Sequence, residues 1–330
     1  MKETPSASRT GNALLRWMPL AFLAVLGVSF GAVSPRFLTI NNLSAILVQS
    51  SWLAVVALGM NFVLLTAGVD LSVGSTMYLA AVTVSMGLSA SPVWVCVLGS
   101  MLVGTVFGAI NASLIVRLRL PAFIATLSTI FIGRGLGLYL SSTRIVYAST
   151  AVAGFGRAAW WGVAAPLWIV GAATICTWAL LKQTPMGPYV RSIGADAEGA
   201  RRAGVPVSTV TFGVYMLCGA CAGLGGFISL SQTSAASGAF GQSAEFLAIA
   251  AAVLGGTSLF GGRGSLWAPL IGAVLITTVQ NGLAMINANP YAYPVITGTV
   301  IFVAALLDSL RSGAIVRLSR RSIILGRGSV

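Results

Sequence analysis

The 330-residue sequence is 57% hydrophobic and only 8% charged, with no histidine and a formal net charge of +13. Soluble domains carry about 25% charged residues, so this composition excludes a water-soluble globular protein and indicates that lipid is the main solvent. The lack of histidine removes the commonest metal ligand and general base, and neither a metal site nor a catalytic site is expected.

Long charge-free runs dominate the chain. Residues 71–116 and 264–307 contain no Lys, Arg, Asp or Glu, and each run holds two spans, since a helix crosses the hydrocarbon core in about 20 apolar residues. The pattern predicts an all-α polytopic membrane protein with about ten transmembrane helices. The predicted spans are 17–33, 45–66, 71–90, 92–116, 120–140, 166–181, 208–230, 243–260, 265–287 and 290–308.

The basic residues predict the orientation of these spans. With a cytoplasmic N-terminus, 15 of the 19 basic residues fall on the cytoplasmic side and only three, Arg36, Arg144 and Arg157, fall outside. The positive-inside rule therefore places both termini in the cytoplasm, and it accounts for the net charge without a nucleic-acid partner.

The same pattern divides the chain into regions. Residues 1–16 are predicted to be a cytoplasmic tail, 17–310 the membrane domain with a cytoplasmic loop at about 182–207, and 311–330 a basic cytoplasmic tail. The alternative for the first span is a cleavable signal peptide. The apolar run is long for one, and no clear small-x-small cleavage site precedes Ser34.

Asp70, Ser72 and Gly74 lie between two long apolar runs. A Gly-flanked Asp followed by Ser favours a helix start, at which the carboxylate accepts hydrogen bonds from free backbone N–H groups. Discontinuous helices of this kind line the pathway in many carriers. The three residues are therefore candidates for a transport pathway, with a purely structural helix cap as the alternative.

Two further charged residues lie within or beside predicted spans. Arg134 follows Arg119 by 15 residues, about 22 Å along a helix, and is expected to reach the outer interface, with a pore-lining position as the alternative. Glu245 begins the span 243–260 and is expected to be solvated or to contact a docked protein.

The longest charged stretch between spans, Arg191–Gly204, predicts a short amphipathic cytoplasmic helix. Acids lie near its start and bases near its end, which complements the helix dipole, and Gly204 ends it. The alternative is a solvated loop. Because so short a helix is marginal in water, we expect it to rest on another surface.

Within this stretch, residues 198–204 (E-G-A-R-R-A-G) resemble the E-A-A-x-x-x-G loop of bacterial ABC importer permeases, with Gly199 departing from the pattern. Residues 68–75, 119–128 and 255–265 resemble the ribose/xylose/arabinose branch of that family. The resemblance covers roughly residues 15–312.

This resemblance implies a permease subunit of the type II importer fold, in the bacterial inner membrane, that translocates a pentose or hexose. It implies a second permease protomer, identical or paralogous, a cytoplasmic ATP-binding-cassette ATPase and a periplasmic sugar-binding protein. It also implies that the loop docks on the ATPase, with the small residues at its centre sitting deep in a groove. The residues assigned to this coupling loop are Arg191, Gly194, Asp196, Glu198, Gly199, Ala200, Arg201 and Gly204.

No cofactor is expected on this chain. Residues 256–263 begin like a phosphate-binding loop but lack its Lys and Ser/Thr, so ATP is expected to bind the partner ATPase. Two alternatives stay open: a permease for branched-chain amino acids or nucleosides, and a stand-alone secondary transporter in which Asp70 holds the coupling ion.

Overall fold

The computed structural model describes residues 7–299 together with residues 302 and 306. The helices are α1 (Ala7–Val33), α2 (Ile40–Leu65), α3 (Val73–Gly87), α4 (Val93–Val116), α5 (Ala122–Ser141), α6 (Thr150–Arg157), α7 (Ala165–Lys182), α8 (Met186–Ala195), α9 (Ala197–Arg202), α10 (Val207–Thr233), α11 (Ala244–Leu254) and α12 (Trp267–Met285). A 3₁₀ turn (Pro290–Ala292) follows, and residues 293–299 are helical. The expected all-α membrane fold is confirmed.

Among the described residues, six helices are long and apolar enough to cross a membrane: α2, α4, α5, α7, α10 and α12. Three shorter apolar stretches, Pro19–Val33, Val73–Gly87 and Ala244–Leu254, coincide with further predicted spans. The predicted count of about ten is therefore not confirmed. The end of the last predicted span, 290–308, lies outside the described residues beyond 299 apart from residues 302 and 306, as do residues 1–6 of the predicted N-terminal tail and all of the tail 311–330.

Proline positions help to set where the membrane helices begin. Pro92, Pro121 and Pro206 stand directly before α4, α5 and α10, where the missing N–H removes no helical hydrogen bond. The three helices consequently begin within a few residues of their predicted starts.

Two helices, α2 and α10, form the centre of the bundle and pack against each other. α10 also packs along α4, where Gly104 and Gly108 face Gly219 and Gly223, and a Cβ at Gly104 would collide with the Gly219 carbonyl oxygen. Small residues spaced four apart in this way allow two helices to approach closely. Their backbones therefore lie closer together than larger side chains would allow.

The chain repeats one arrangement in two opposite directions. In α2–α3–α4 and in α10–α11–α12, a long helix is followed by a short helix and another long helix. Corresponding contacts recur, because α4 packs on α10 as α12 packs on α2, and α3 packs on α10 as α11 packs on α2. α2 ends at the side of the bundle where α8 and α9 lie, and α10 begins there, so the two central helices are antiparallel.

The opposite end of the bundle carries the only strands in the described part of the chain. β1 (Val146–Tyr147) pairs antiparallel with β4 (Ala235–Ala236), and β2 (Ala159–Trp160) pairs with β3 (Val163–Ala164). The β1–β4 pair ties the end of α5 to the end of α10. It thereby fixes the start of residues 237–243, which fold back towards the bundle interior before α11.

Candidate functional site

The charged stretch Arg191–Gly204 forms two short helices instead of the single helix predicted. α8 ends at Ala195, and Asp196 takes an extended conformation (φ −161°, ψ 103°) before α9 begins. The Asp196 carboxylate accepts a hydrogen bond from the Glu198 N–H at 3.1 Å and so caps α9. The prediction of one helix is corrected at this residue, because an aspartate suited to capping also breaks the helix that precedes it.

The charges of α9 pair within the helix. Arg201 lies 2.6 Å from one carboxylate oxygen of Glu198, and Arg202 lies 3.3 Å from the other. All three side chains are more than half exposed, so these pairs add little to stability. They leave α9 with a basic end, after which Gly204 turns the chain with φ +84°.

Packing of α9 reverses one expectation about its small residues. Ala200 is only 6% exposed and belongs to the hydrophobic core of the chain, whereas Ala197 and Ala203 are exposed. The family resemblance implies that the small residues at the centre of the loop, Gly199 and Ala200, face the groove of a partner. In the structure Ala200 instead packs against the chain's own bundle, so the free surface of α9 lies on its other side.

Gly194, at the end of α8, lies where three turns meet. The Gly262 N–H donates a hydrogen bond to the Leu65 carbonyl at 3.0 Å, and a Cβ at Gly194 would overlap that carbonyl. A Cβ at Gly261 would lie 2.8 Å from both the Ala67 Cβ and the Gly194 carbonyl oxygen. The α8–α9 segment is thus seated on the turn that ends α2 and on the loop that precedes α12. Arg191 lies partly buried one turn earlier in α8.

Asp70 lies in the turn between α2 and α3 and is 1% exposed. Its Oδ1 accepts hydrogen bonds from the Ser72 N–H at 2.9 Å and the Ser72 hydroxyl at 2.7 Å, which is the Asx-turn geometry. Ser72 occupies the position before the first residue of α3. Asp70 therefore stabilises the turn just before the helix, and Ser72 links it to the neighbouring helices.

A buried hydrogen-bond chain extends from this turn and was missed from the sequence. Asn111 on α4 donates to the Ser72 hydroxyl at 2.7 Å, and Thr129 on α5 donates to the Asn111 side-chain oxygen at 2.6 Å. The signal that could have found it is the amide of Asn111 inside a long apolar run, because polar groups within a membrane span require partners.

The two short helices meet at Gly74. Its Cα lies against the Gly241 carbonyl and the Glu245 carboxylate, which leaves no space for a side chain at position 74. Glu245 is only 5% exposed, so the expectation that it is solvated is wrong. The physical reason is that residues 237–243 fold into the bundle before α11 begins and carry its first turn away from the surface.

Arg134 holds this inward-folded segment in place. Its Nη1 donates to the carbonyl oxygens of Gly238, at 3.0 Å, and Phe240, at 2.5 Å, and its guanidinium carbon lies 5.2 Å from the centre of the Tyr78 ring. The expectation that Arg134 reaches out to the membrane interface is therefore wrong. The carbonyl groups of residues 237–243, which have no helical partners, bind the guanidinium inside the bundle.

A cavity of about 660 Å³ lies between α5 and the start of α11. Arg134, Gln242 and Glu245 contribute polar groups to its wall, and Phe131 and Phe246 contribute apolar faces. Asp70 does not line this cavity, although the next residue, Leu71, does. Among the sequence candidates, the structure thus places Gly74 beside the cavity wall and Asp70 behind it.

Known proteins with similar sequences include sugar import permeases. The profile described as "Branched-chain amino acid transport system / permease component" matches residues 42–305. The ribose import permease protein of Escherichia coli K12 is 36% identical over 305 residues, which cover 90% of this chain and 94% of the relative. No solved structure matches the chain significantly.

Two further Escherichia coli K12 proteins are similar over most of their length. The D-allose transport system permease protein is 34% identical, covering 94% of this chain and 98% of the relative. The L-arabinose transport system permease protein is 32% identical, covering 89% of this chain and 90% of the relative.

Proposed function

The chain belongs to the family of branched-chain amino acid transport system permease components, and from this premise we infer that it is the membrane-spanning permease subunit of an ATP-binding-cassette importer for a monosaccharide. The relatives are named for ribose, D-allose and L-arabinose, which are all monosaccharides, and each is matched over nearly its whole length. These names favour a sugar over the amino acid in the family's description. The chain is a transport component rather than an enzyme.

The proposed assembly contains three partners. A second permease protomer, identical or paralogous, packs beside this one in the inner membrane, a cytoplasmic ATPase binds and hydrolyses ATP, and a periplasmic protein delivers the sugar. The exposed face of α5 supports a second protomer, because large apolar side chains such as Ile132 and Leu136 point away from this chain's own core. Both termini are proposed to lie in the cytoplasm, as the basic residues indicate.

The position of α9 is the observation that supports an ATPase partner. It lies at one end of the bundle with a free basic surface, and through Gly194 it is anchored to the turns beside α3 and α12. Two exposed apolar residues, Leu259 and Phe260, stand next to this anchor in the loop before α12. We propose that α9 and this loop tip together form the surface that docks on the ATPase.

The stand-alone secondary transporter is not favoured. In that reading Asp70 would hold the coupling ion, yet its Oδ1 accepts from the N–H and hydroxyl of Ser72, and its Oδ2 is buried away from the cavity with no partner among the described residues. The carboxylate instead serves the turn that begins α3.

Transport in proteoliposomes tests the proposed function. The permease is reconstituted with its ATPase, and sugar-loaded binding protein is placed outside with ATP inside. We expect uptake of at least one of D-ribose, D-allose and L-arabinose that stops when vanadate blocks ATP hydrolysis and continues when the proton gradient is collapsed. Uptake that follows the proton gradient and ignores vanadate would overturn the importer assignment.

A further inference from the structure

The cavity between α5 and α11 lies beside the middle of a membrane-spanning helix. Its wall residues on α5 extend from Leu127 to Arg134, in the middle of the helix Ala122–Ser141. Its volume of about 660 Å³ is within the range of roughly 300–1,000 Å³ that is typical of small-molecule sites. The cavity is therefore large enough and deep enough to hold a solute in transit.

Glu245 brings an acidic side chain to this cavity. The side chain lines the wall and is 5% exposed; its Oε2 is enclosed against Gly74 with no hydrogen-bond partner among the described residues, and the less enclosed Oε1 accepts no hydrogen bond there either. Within that part of the chain, the ion pairs are those of Glu198, so Arg134 stands near Glu245 without forming a direct ion pair. Burying a carboxylate without a partner is costly, which indicates that another group satisfies it during function.

Donors and apolar surfaces surround this acceptor. The hydrogen bonds of Arg134 all use Nη1, so the N–H groups on Nη2 and Nε are available in a guanidinium that carries five donors. Gln242 and Ser243 add an exposed amide and hydroxyl, and the rings of Phe131 and Phe246 supply apolar faces. Acceptors, donors and apolar faces in one cavity match a neutral ligand that has many hydroxyl groups and C–H faces between them.

We propose that this cavity is a sugar-contact site within the permease itself, at which Glu245 accepts a hydroxyl hydrogen bond and Arg134 and Gln242 bind neighbouring hydroxyl groups. The inference rests on the proposed function and extends it, because it gives the permease a part in selecting the sugar. The inward fold of residues 237–243 then serves to bring Gln242 and Glu245 to the cavity beside the middle of α5, and Arg134 both supports that fold and faces the ligand.

The test compares uptake of D-ribose, D-allose and L-arabinose by the assembled transporter in proteoliposomes, each presented on saturating binding protein. The variants are Glu245→Gln and Gln242→Ala. Gln183→Ala is the matched control, because Gln183 is also exposed but lies at the far end of α7. ATP hydrolysis and the concentration of loaded binding protein that gives half-maximal uptake are measured in the same vesicles.

We expect Glu245→Gln to lower uptake of at least one sugar by about tenfold, because the amide keeps an acceptor oxygen but lacks the charge that strengthens the hydrogen bond, and to change the ratios among the sugars. ATP hydrolysis and the half-maximal concentration of binding protein stay at wild-type values, which a folding or docking defect would not allow. Gln242→Ala is expected to change the uptake ratios among the three sugars to a smaller degree, and Gln183→Ala is expected to leave them unchanged.

Different outcomes separate this inference from the proposed function. If the wild-type transporter takes up none of the sugars with ATP, the proposed function itself fails. If the wild type transports and both cavity variants keep its sugar ratios, only the contact site is overturned. Loss of the second protomer from purified Glu245→Gln would also overturn it, because Glu245 would then be satisfied across a subunit interface. If Glu245→Gln does not insert in the membrane, the ratios of sugar uptake by Gln242→Ala decide whether the contact site stands: changed ratios support it, and wild-type ratios overturn it.

Discussion

Asp70 stabilises a turn in which the chain reverses inside the membrane domain. Its carboxylate accepts two hydrogen bonds from Ser72, and Ser72 in turn is bound by Asn111. A single oxygen, Oδ1, carries both of the Ser72 bonds, so an amide oxygen in the same place could carry them equally well. The importance of Asp70 therefore lies in the position of its oxygen atom rather than in its charge.

We accordingly expect Asp70→Asn to leave thermal stability and uptake near wild type. Asp70→Leu removes both acceptor bonds and leaves the Ser72 N–H without a partner, which should lower the free energy of unfolding by at least ~1 kcal/mol. Thermal unfolding of the purified permease and sugar uptake measure the two effects. Loss of uptake in a normally stable Asp70→Asn protein would show instead that the charge itself acts in transport, and equal tolerance of both variants would contradict the structural role as well.

The environment of Glu245 shows which side-chain contacts cannot be predicted from the sequence. Its position after a polar stretch predicts a solvated side chain, and only the fold reveals its contact with Gly74, which is far away in the chain. Asp70 differs because its partner Ser72 is two residues away, so local chemistry alone indicates the hydrogen bonds that it forms. Predictions from sequence succeed where the interacting groups are neighbours in the chain.

Among the helices, contacts between residues far apart in the chain also explain why hydropathy overestimates the lengths of α3 and α11. Hydropathy predicts spans at 71–90 and 243–260, but the helices have 15 and 11 residues, about 22 and 16 Å at ~1.5 Å per residue, against a hydrocarbon core of about 30 Å. The predicted spans overrun the two helices mainly after their ends, at 88–90 and 255–260, where small and apolar residues resemble those of a span. After α11 the chain turns at Gly256, whose φ is +105°, and the Thr257 hydroxyl donates to the Asn61 side-chain oxygen, and composition reveals neither feature.

The α9 helix allows a sharper docking test than the sequence alone could design. Ala200→Trp would place an indole in the chain's own core, and any side chain at Gly204 is strained by its φ of +84°. Ala197→Trp and Ala203→Trp are the better variants, because both residues are exposed and an added ring meets only the docked partner.

We expect Ala197→Trp or Ala203→Trp to insert and unfold like wild type but to lose co-purification with the ATPase, because the added ring keeps the two surfaces apart. Ala151→Trp, an exposed position at the opposite end of the bundle, is the matched control and should keep the ATPase. Co-purification and thermal unfolding are measured on the same samples. Full recovery of the ATPase with both α9 variants would remove α9 from the docking surface.

Across the whole molecule, two oppositely directed units pack against each other, and the contacts at their ends connect them. The turn after α2 and the loop before α12 both contact Gly194, so a displacement of α9 acts on both units at once. The Gly74 contact with Gly241 and Glu245 then joins the two short helices next to the cavity. An ATPase docked on α9, as proposed, would be connected through these contacts to the cavity wall.

The structure and the charge pattern make separable predictions about orientation. Because β1 pairs with β4, residues 144 and 237 must lie on one side of the membrane, and because Gly194 meets the turn after α2, Arg191 must lie on the other. The basic residues assign the side of Arg191 to the cytoplasm. Reporters fused after Arg144 and Ser237 should therefore report the periplasm, and those after Arg191 and Arg320 the cytoplasm.

Opposite compartments for Arg144 and Ser237 would contradict the β1–β4 pairing itself. Periplasmic signals from Arg191 and Arg320, with cytoplasmic ones from the other two, would keep the fold and reverse only the orientation, leaving α9 on the side where no ATPase can reach it.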